Sequence, residues 1–252
     1  MHYTAQMRKR QSAVDRKADN IESGWKDLPN GGAQSVTVIS SDEKERAKAL
    51  RESAKNIEKD YDRKLEKLLK ENLKDDEFIK QQSTLRHEYE SQLGYIETEL
   101  DSMWKEIDER ENRWTDKVAN AYSAREEENQ KKHKEIRREL DNIRNEVKAA
   151  EKVAGKNSSN AKSQLDYIAK KDRCEKQILD YAKEALDRNI EAQRAVKAAR
   201  SKSWTEMTDW DISCDADIKY TYKLINELKD YYEDTTGKTI TLEKFEQLLN
   251  RR

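Results

Sequence analysis

Residues 40–65 read SSDEKERAKALRESAKNIEKDYDRKL, and residues 85–103 read LRHEYESQLGYIETELDSM. In the first stretch Ala47, Leu50, Ala54, Ile57, Tyr61 and Leu65 recur at spacings of 3, 4, 3, 4 and 4. In the second, Leu85, Tyr89, Leu93, Ile96, Leu100 and Met103 recur at 4, 4, 3, 4 and 3. Steps of three and four place side chains on one stripe of an α-helix. The second series is the first read backwards, and every mirrored pair of positions, from Leu65 with Leu85 to Ala47 with Met103, sums to 150. The mirror predicts an antiparallel hairpin folding near residue 75, where Asp75 and Asp76 offer an N-cap. The alternative is one uninterrupted helix pairing with a second copy, since neither Gly nor Pro marks the bend. Ser40 with Glu43 three residues later is a capping box that starts the first helix.

Downstream, the second helix is expected over about 77–154. Leu93, Ile96, Leu100, Met103, Ile107, Arg110 and Trp114 keep the alternation, and it resumes at Ile136, Leu140, Ile143, Val147, Ala150 and Ala154. The 22-residue interval from Trp114 to Ile136 contains Arg125 to Glu135, eleven residues with no apolar side chain. That stretch is either solvated all round or meets a polar surface. Gly155 to Asn160 is the clearest turn in the chain, a glycine C-cap followed by N-cap residues. A third helix, about 161–201, then folds back, placing Leu165 opposite Ala150, Ile168 opposite Val147 and Leu179 opposite Ile136. Asp172 and Glu175 interrupt these layers.

Composition agrees with long helices. Of 252 residues, 51 are Lys or Arg and 52 are Asp or Glu, for a net charge of −1. Leu, Ile, Val and Phe number 42, a sixth of the chain and below the roughly 20% typical of globular domains. One Pro and six Gly are too few for the turns of a sandwich, barrel or Rossmann sheet. No apolar run approaches the roughly 18 residues of a membrane span. The expected fold is all-α: an elongated antiparallel coiled-coil or helical-bundle rod over residues 41–202.

Two flanking segments complete the expected organisation. Residues 1–40 hold three of the six Gly and the one Pro, carry a slight basic excess, and read as a largely irregular extended arm. Ser35 to Ile39 is its one strand-like run. Residues 203–252 contain 7 of the 18 aromatic residues and read as a small helical module on the rod's end, with helices near 215–233 and 242–250.

Little in the sequence points to catalysis. His2, His87 and His133 are scattered, and none has the His or Glu spacing of a zinc or di-iron site. Gly237-Lys238-Thr239 lacks the Gly that a phosphate loop needs five residues earlier, where Tyr232 stands. Glu233 to Phe245 resembles the loop of an EF-hand in Ile240, Thr241 and Phe245. Lys238 and Lys244, however, occupy the slots of the turn glycine and the bidentate carboxylate, which predicts no calcium binding. Cys174 and Cys214 form neither a disulfide framework nor a zinc pattern. The N-terminus lacks the apolar stretch of a secretory signal, so an intracellular, cytoplasmic chain is expected.

These observations lead to the expectation of a non-enzymatic scaffold or adaptor in a multi-subunit assembly, with no cofactor, metal, membrane or small-molecule substrate. Its partners would be other protein subunits, copies of itself included. Candidate contact residues are Val36, Val38 and Ile39 of the arm and Trp104, Trp204 and Trp210, because Trp is enriched at interface hot spots. An alternative is an accessory subunit of a nucleic-acid machine. There Arg188, Arg194, Lys197, Arg200 and Lys202, at the end of the third helix, would track a phosphate backbone.

Overall fold

The computed structural model describes residues 5–251. The fold is all-α. Among the described residues six helices, α1 Ala5–Ser23, α2 Ser41–Lys70, α3 Asp75–Lys156, α4 Ala161–Ala199, α5 Asp209–Thr236 and α6 Leu242–Asn250, accompany one hairpin of strands β1 Trp25–Asp27 and β2 Ala33–Ser35. The chain divides into two compact units, Met1–Thr115 and Asp116–Arg252, and α3 contributes to both.

In the first unit, α2 begins where the sequence indicates. The Ser40 side chain accepts from the Glu43 N–H, and the Glu43 carboxylate accepts from the Ser40 N–H. The helix ends at Glu71, a short non-helical link of residues 71–74 follows, and α3 starts at Asp75. The two helices run antiparallel, with the rings of Tyr61 and Tyr89, a mirrored pair, 5.5 Å apart edge to face. Ala47, Ala54 and Leu65 of α2 and Leu93, Leu100 and Ile107 of α3 are buried in the seam.

The N-terminal segment departs from expectation. Residues 5–23 form α1, whose Met7, Val14, Ala18 and Ile21 are fully buried at helical spacing. The arm has too little apolar surface to fold alone, but α2 and α3 supply the other side of its core. Lys17 reaches Glu97 at 3.2 Å and Asp101 at 2.7 Å on α3, while Arg51 of α2 takes Asp19 and Glu22 of α1, the latter at 2.9 Å. On α3, Gly94 leaves room for the Arg10 side chain. A Cβ there would stand 2.7 Å from an Arg10 guanidinium nitrogen.

The strand-like run is also placed differently. β2 ends at Ser35 and pairs antiparallel with β1, Trp25 opposite Ser35. The chain enters this hairpin through Gly24 at φ 75°, a left-handed conformation that disfavours a Cβ. Val36 to Ile39 lies beyond the sheet, and the N–H groups of Thr37 and Val38 both donate to one carboxylate oxygen of Glu111 on α3, at 3.0 and 3.2 Å. An α3 side chain thus meets the backbone demand that a neighbouring strand would otherwise satisfy.

In the second unit, α4 lies against the C-terminal part of α3, and α5 packs lengthwise on both. Leu140, Cys174, Ile178, Ala182, Leu224, Leu228, Phe245 and Leu249 belong to one buried cluster. Cys174 and Cys214 are free thiols, both buried. α5 starts at a Thr208–Asp211 capping box, six residues before the expected boundary, and stops at Gly237 with φ 72°. It is no end-cap: its contacts with α4 run from Asp217, beside Arg188, to Thr235, beside Cys174. The layers expected nearest the α3–α4 turn do not close either, since Leu165 is 66% and Ile168 50% exposed.

Candidate functional site

The densest polar arrangement among the described residues lies in the second unit, where α3, α4 and α5 meet. Asn129 sits seven residues before Ile136, so helical periodicity turns it toward the core. Asp217 and Thr221 fall seven residues before Leu224 and Leu228 and turn inward for the same reason. All three polar side chains are buried. Arg188 of α4 joins them, donating through Nη2 to Asp217 Oδ1 and to Asn129 Oδ1, each at 2.8 Å, and through Nε to Asp217 Oδ2 at 3.1 Å. Asn129 Nδ2 donates to Asp217 Oδ1 at 2.8 Å, which closes the triangle.

A second tier continues along α5. Thr221 Oγ1 donates to the Asp217 carbonyl at 2.6 Å and accepts from Asn189 Nδ2 at 2.8 Å, while Gln193 Nε2 donates to Asn189 Oδ1 at 2.7 Å. On the other side His133 Nε2 lies 2.7 Å from Glu227 Oε2, and Arg137 pairs with the same carboxylate. The Tyr220 ring is 5.9 Å from the His133 ring and 5.8 Å from the Arg188 guanidinium. Its hydroxyl is buried without a hydrogen-bond partner, and burial pushes its pKa up to about 12. An open groove of about 230 Å³ runs beside this tier, lined by Asn129, His133, Ala216, Lys219, Tyr220 and Lys223.

This arrangement meets the needs of a helix junction. The guanidinium is held through Nε and Nη2 by an Asp and an Asn of the chain itself, and a largely buried charge held in this way fixes which residues face each other. It also decides the alternatives for residues 125–135: the stretch meets a polar surface. Arg125 lies 4.9 Å from the Trp210 ring, Asn129 meets Asp217, and His133 meets Glu227. Among the described residues no three His, Cys, Asp or Glu side chains converge as metal ligands. No helix of the described residues is long and apolar enough to cross a membrane.

The contact residues singled out from sequence are dispersed. Val36 and Val38 are buried in the first unit's own core and Ile39 is half-buried, so they present no open strand face to a partner. Trp104 donates from Nε1 to the Lys17 carbonyl at 3.3 Å, which makes it the packing residue for α1. Trp204 is half-buried, and Trp210 lies beneath Arg125. The five basic residues of the third helix do not form one patch. Arg188 is inside the junction, and Lys202 holds Asp211 at 2.7 Å, drawing that carboxyl's pKa down to about 2 together with the Thr208 N–H and hydroxyl. Arg194, Lys197 and Arg200 are exposed. Sequence reasoning missed Asn129, Asn189, Asp217 and Thr221; their register seven residues from core positions was the available signal.

The fold and this junction define an all-α protein with a buried polar helix crossing. No protein-family model, curated protein or solved structure matches the chain.

Proposed function

We propose that the protein is a non-enzymatic helical scaffold or adaptor, working inside the cell as one component of a multi-subunit assembly. The observation that supports this most directly is where its helical hairpins leave apolar side chains uncovered. Leu69 and Ile79 flank the α2–α3 link at 51% and 61% exposure, and Leu165 and Ile168 follow the α3–α4 turn. Such residues at the open ends of helical seams are the usual material of protein interfaces. The polar groups of the second unit are spent on holding its helices together, which suits a framework. The two free thiols fit a reducing compartment.

The test is the size of the native particle. In extract of its own cells the wild-type chain should migrate far above the mass of one chain. A variant carrying Leu69→Glu, Ile79→Glu, Leu165→Glu and Ile168→Glu should keep its helical circular dichroism and migrate alone. Wild type migrating as a single chain would overturn the reading.

A second reading has one observation behind it. Arg194, Lys197 and Arg200 project from the last turns of α4 and could contact a phosphate backbone. Three such contacts would give a slope of log K against log salt of about −3. No binding to duplex or single strands at low salt would remove it.

A further inference from the structure

The seam of the second unit is covered over most of its length, and the element that covers it indicates what would cover the rest. On α4, Leu179 and Leu186 are buried in the shared core, and Leu165 occupies the same line two and three heptads earlier. Ile168 lies one heptad before Glu175, which faces the Tyr232 hydroxyl of α5, and two before the buried Ala182. Leu165 and Ile168 therefore stand on the face that α5 occupies further along. α5 ends at Thr236, beside Cys174, and these two side chains remain 66% and 50% exposed.

Charge follows the same division. α5 carries eight acidic and three basic residues, a net −5. Its acids meet bases of the other helices: Asp217 meets Arg188, Glu227 meets Arg137, and Asp234 meets Arg144 at 2.9 Å. The uncovered end, residues 148–173, carries seven basic and three acidic residues, a net +4. Lys148 falls one turn beyond Arg144 on α3, and Lys171 one heptad before Ile178 on α4. Lys148 is exposed, while Lys171 is half-buried at the foot of the seam, on the line of the buried Ile178. The open stretch thus repeats the features that seat α5: an apolar line with cations of α3 and α4 beside it.

We propose that the open end of the α3–α4 seam, centred on Leu165 and Ile168 with Lys148 and Lys171 beside them, binds an acidic amphipathic helix of a partner protein. The helix lays its apolar stripe on Leu165 and Ile168 and directs carboxylates to the two lysines, as α5 does further along. Cations beside the apolar line select against basic helices. This deepens the scaffold reading and rests on it.

The test uses the full-length chain and two fluorescent peptides of about 18 residues, long enough for several helical turns. Both carry leucines at helical spacing, with glutamate at the remaining positions in one and lysine in the other. Wild type should bind the glutamate peptide at least about tenfold more tightly than the lysine peptide. Leu165→Asp with Ile168→Asp should abolish that binding, and Lys148→Glu with Lys171→Glu should reverse the preference. Leu165, Ile168 and Lys148 are exposed and Lys171 is half-buried. None lies in the closed core, and circular dichroism should be unchanged in both variants. Equal binding of the two peptides, or binding untouched by the Asp variant, would overturn the proposal. So would sedimentation showing a wild-type dimer that the Asp variant dissolves, which would assign the seam to a second copy. If the peptides fail while wild type still migrates in a large native particle, the scaffold reading stands and this inference alone is lost.

Discussion

Asp217 is the residue on which the second unit's packing turns. Its carboxylate is fully buried and accepts from Asn129 and from two nitrogens of Arg188. Removing one partner of such a pair leaves the other charge in place without compensation, which costs far more than the pair contributes. Asp217→Ala should therefore lower unfolding stability by about 3 kcal/mol in urea denaturation. Arg188→Met in the Asp217→Leu background should recover much of that loss, because an apolar pair needs no solvation. A double variant as unstable as Asp217→Ala would show that the triangle contributes through shape rather than charge. Parts of this site are legible in the sequence. A run of eleven residues with no apolar side chain, inside a helix with core stripes on both sides, marks a place that is either solvated or meets a polar surface. The pairing is not legible: register turns Asp217 inward, but nothing local links it to Asn129, 88 residues away.

At the scale of elements, α2, α3 and α4 could be read within a few residues of their ends, because spacing, a capping box and a Gly-Asn turn all point the same way. α1 could not. Its stripe passes through Gln11, a polar residue at a buried position, and the remaining apolar positions are diluted by the hairpin chemistry that follows. The segment has too little apolar surface to stand alone, but a helix takes most of its stability from the face it packs against. That changes what truncation should do. Deleting residues 1–24 uncovers the α2–α3 surface under Met7, Val14, Ala18 and Ile21, leaving Glu97, Asp101 and Arg51 without their partners. The shortened chain should lose helical signal beyond that of the 19 residues of α1 and melt at a clearly lower temperature. A melting temperature unchanged from full length would mean α1 is not seated as described. The Val36 to Ile39 segment was illegible for a different reason: its hydrogen-bond acceptor is Glu111, more than seventy residues away on α3.

For the whole molecule, the division into two compact units has a practical consequence through sulfur. The chain's two cysteines, Cys174 and Cys214, both belong to the second unit, and no cysteine occurs before residue 174. Burial raises both thiol pKa values, so the reactive thiolate is scarce as well as shielded while the helices stay closed. Their reaction with a maleimide should be slow in the native protein and should accelerate when α4 and α5 part. The Asp217→Ala variant should label faster than wild type, and a variant of the first unit such as Trp104→Ala should label at the wild-type rate. Equal acceleration by both would show that the two units open together. The protein thus carries its own clock for the opening of one half, with no probe to introduce and no background from the other.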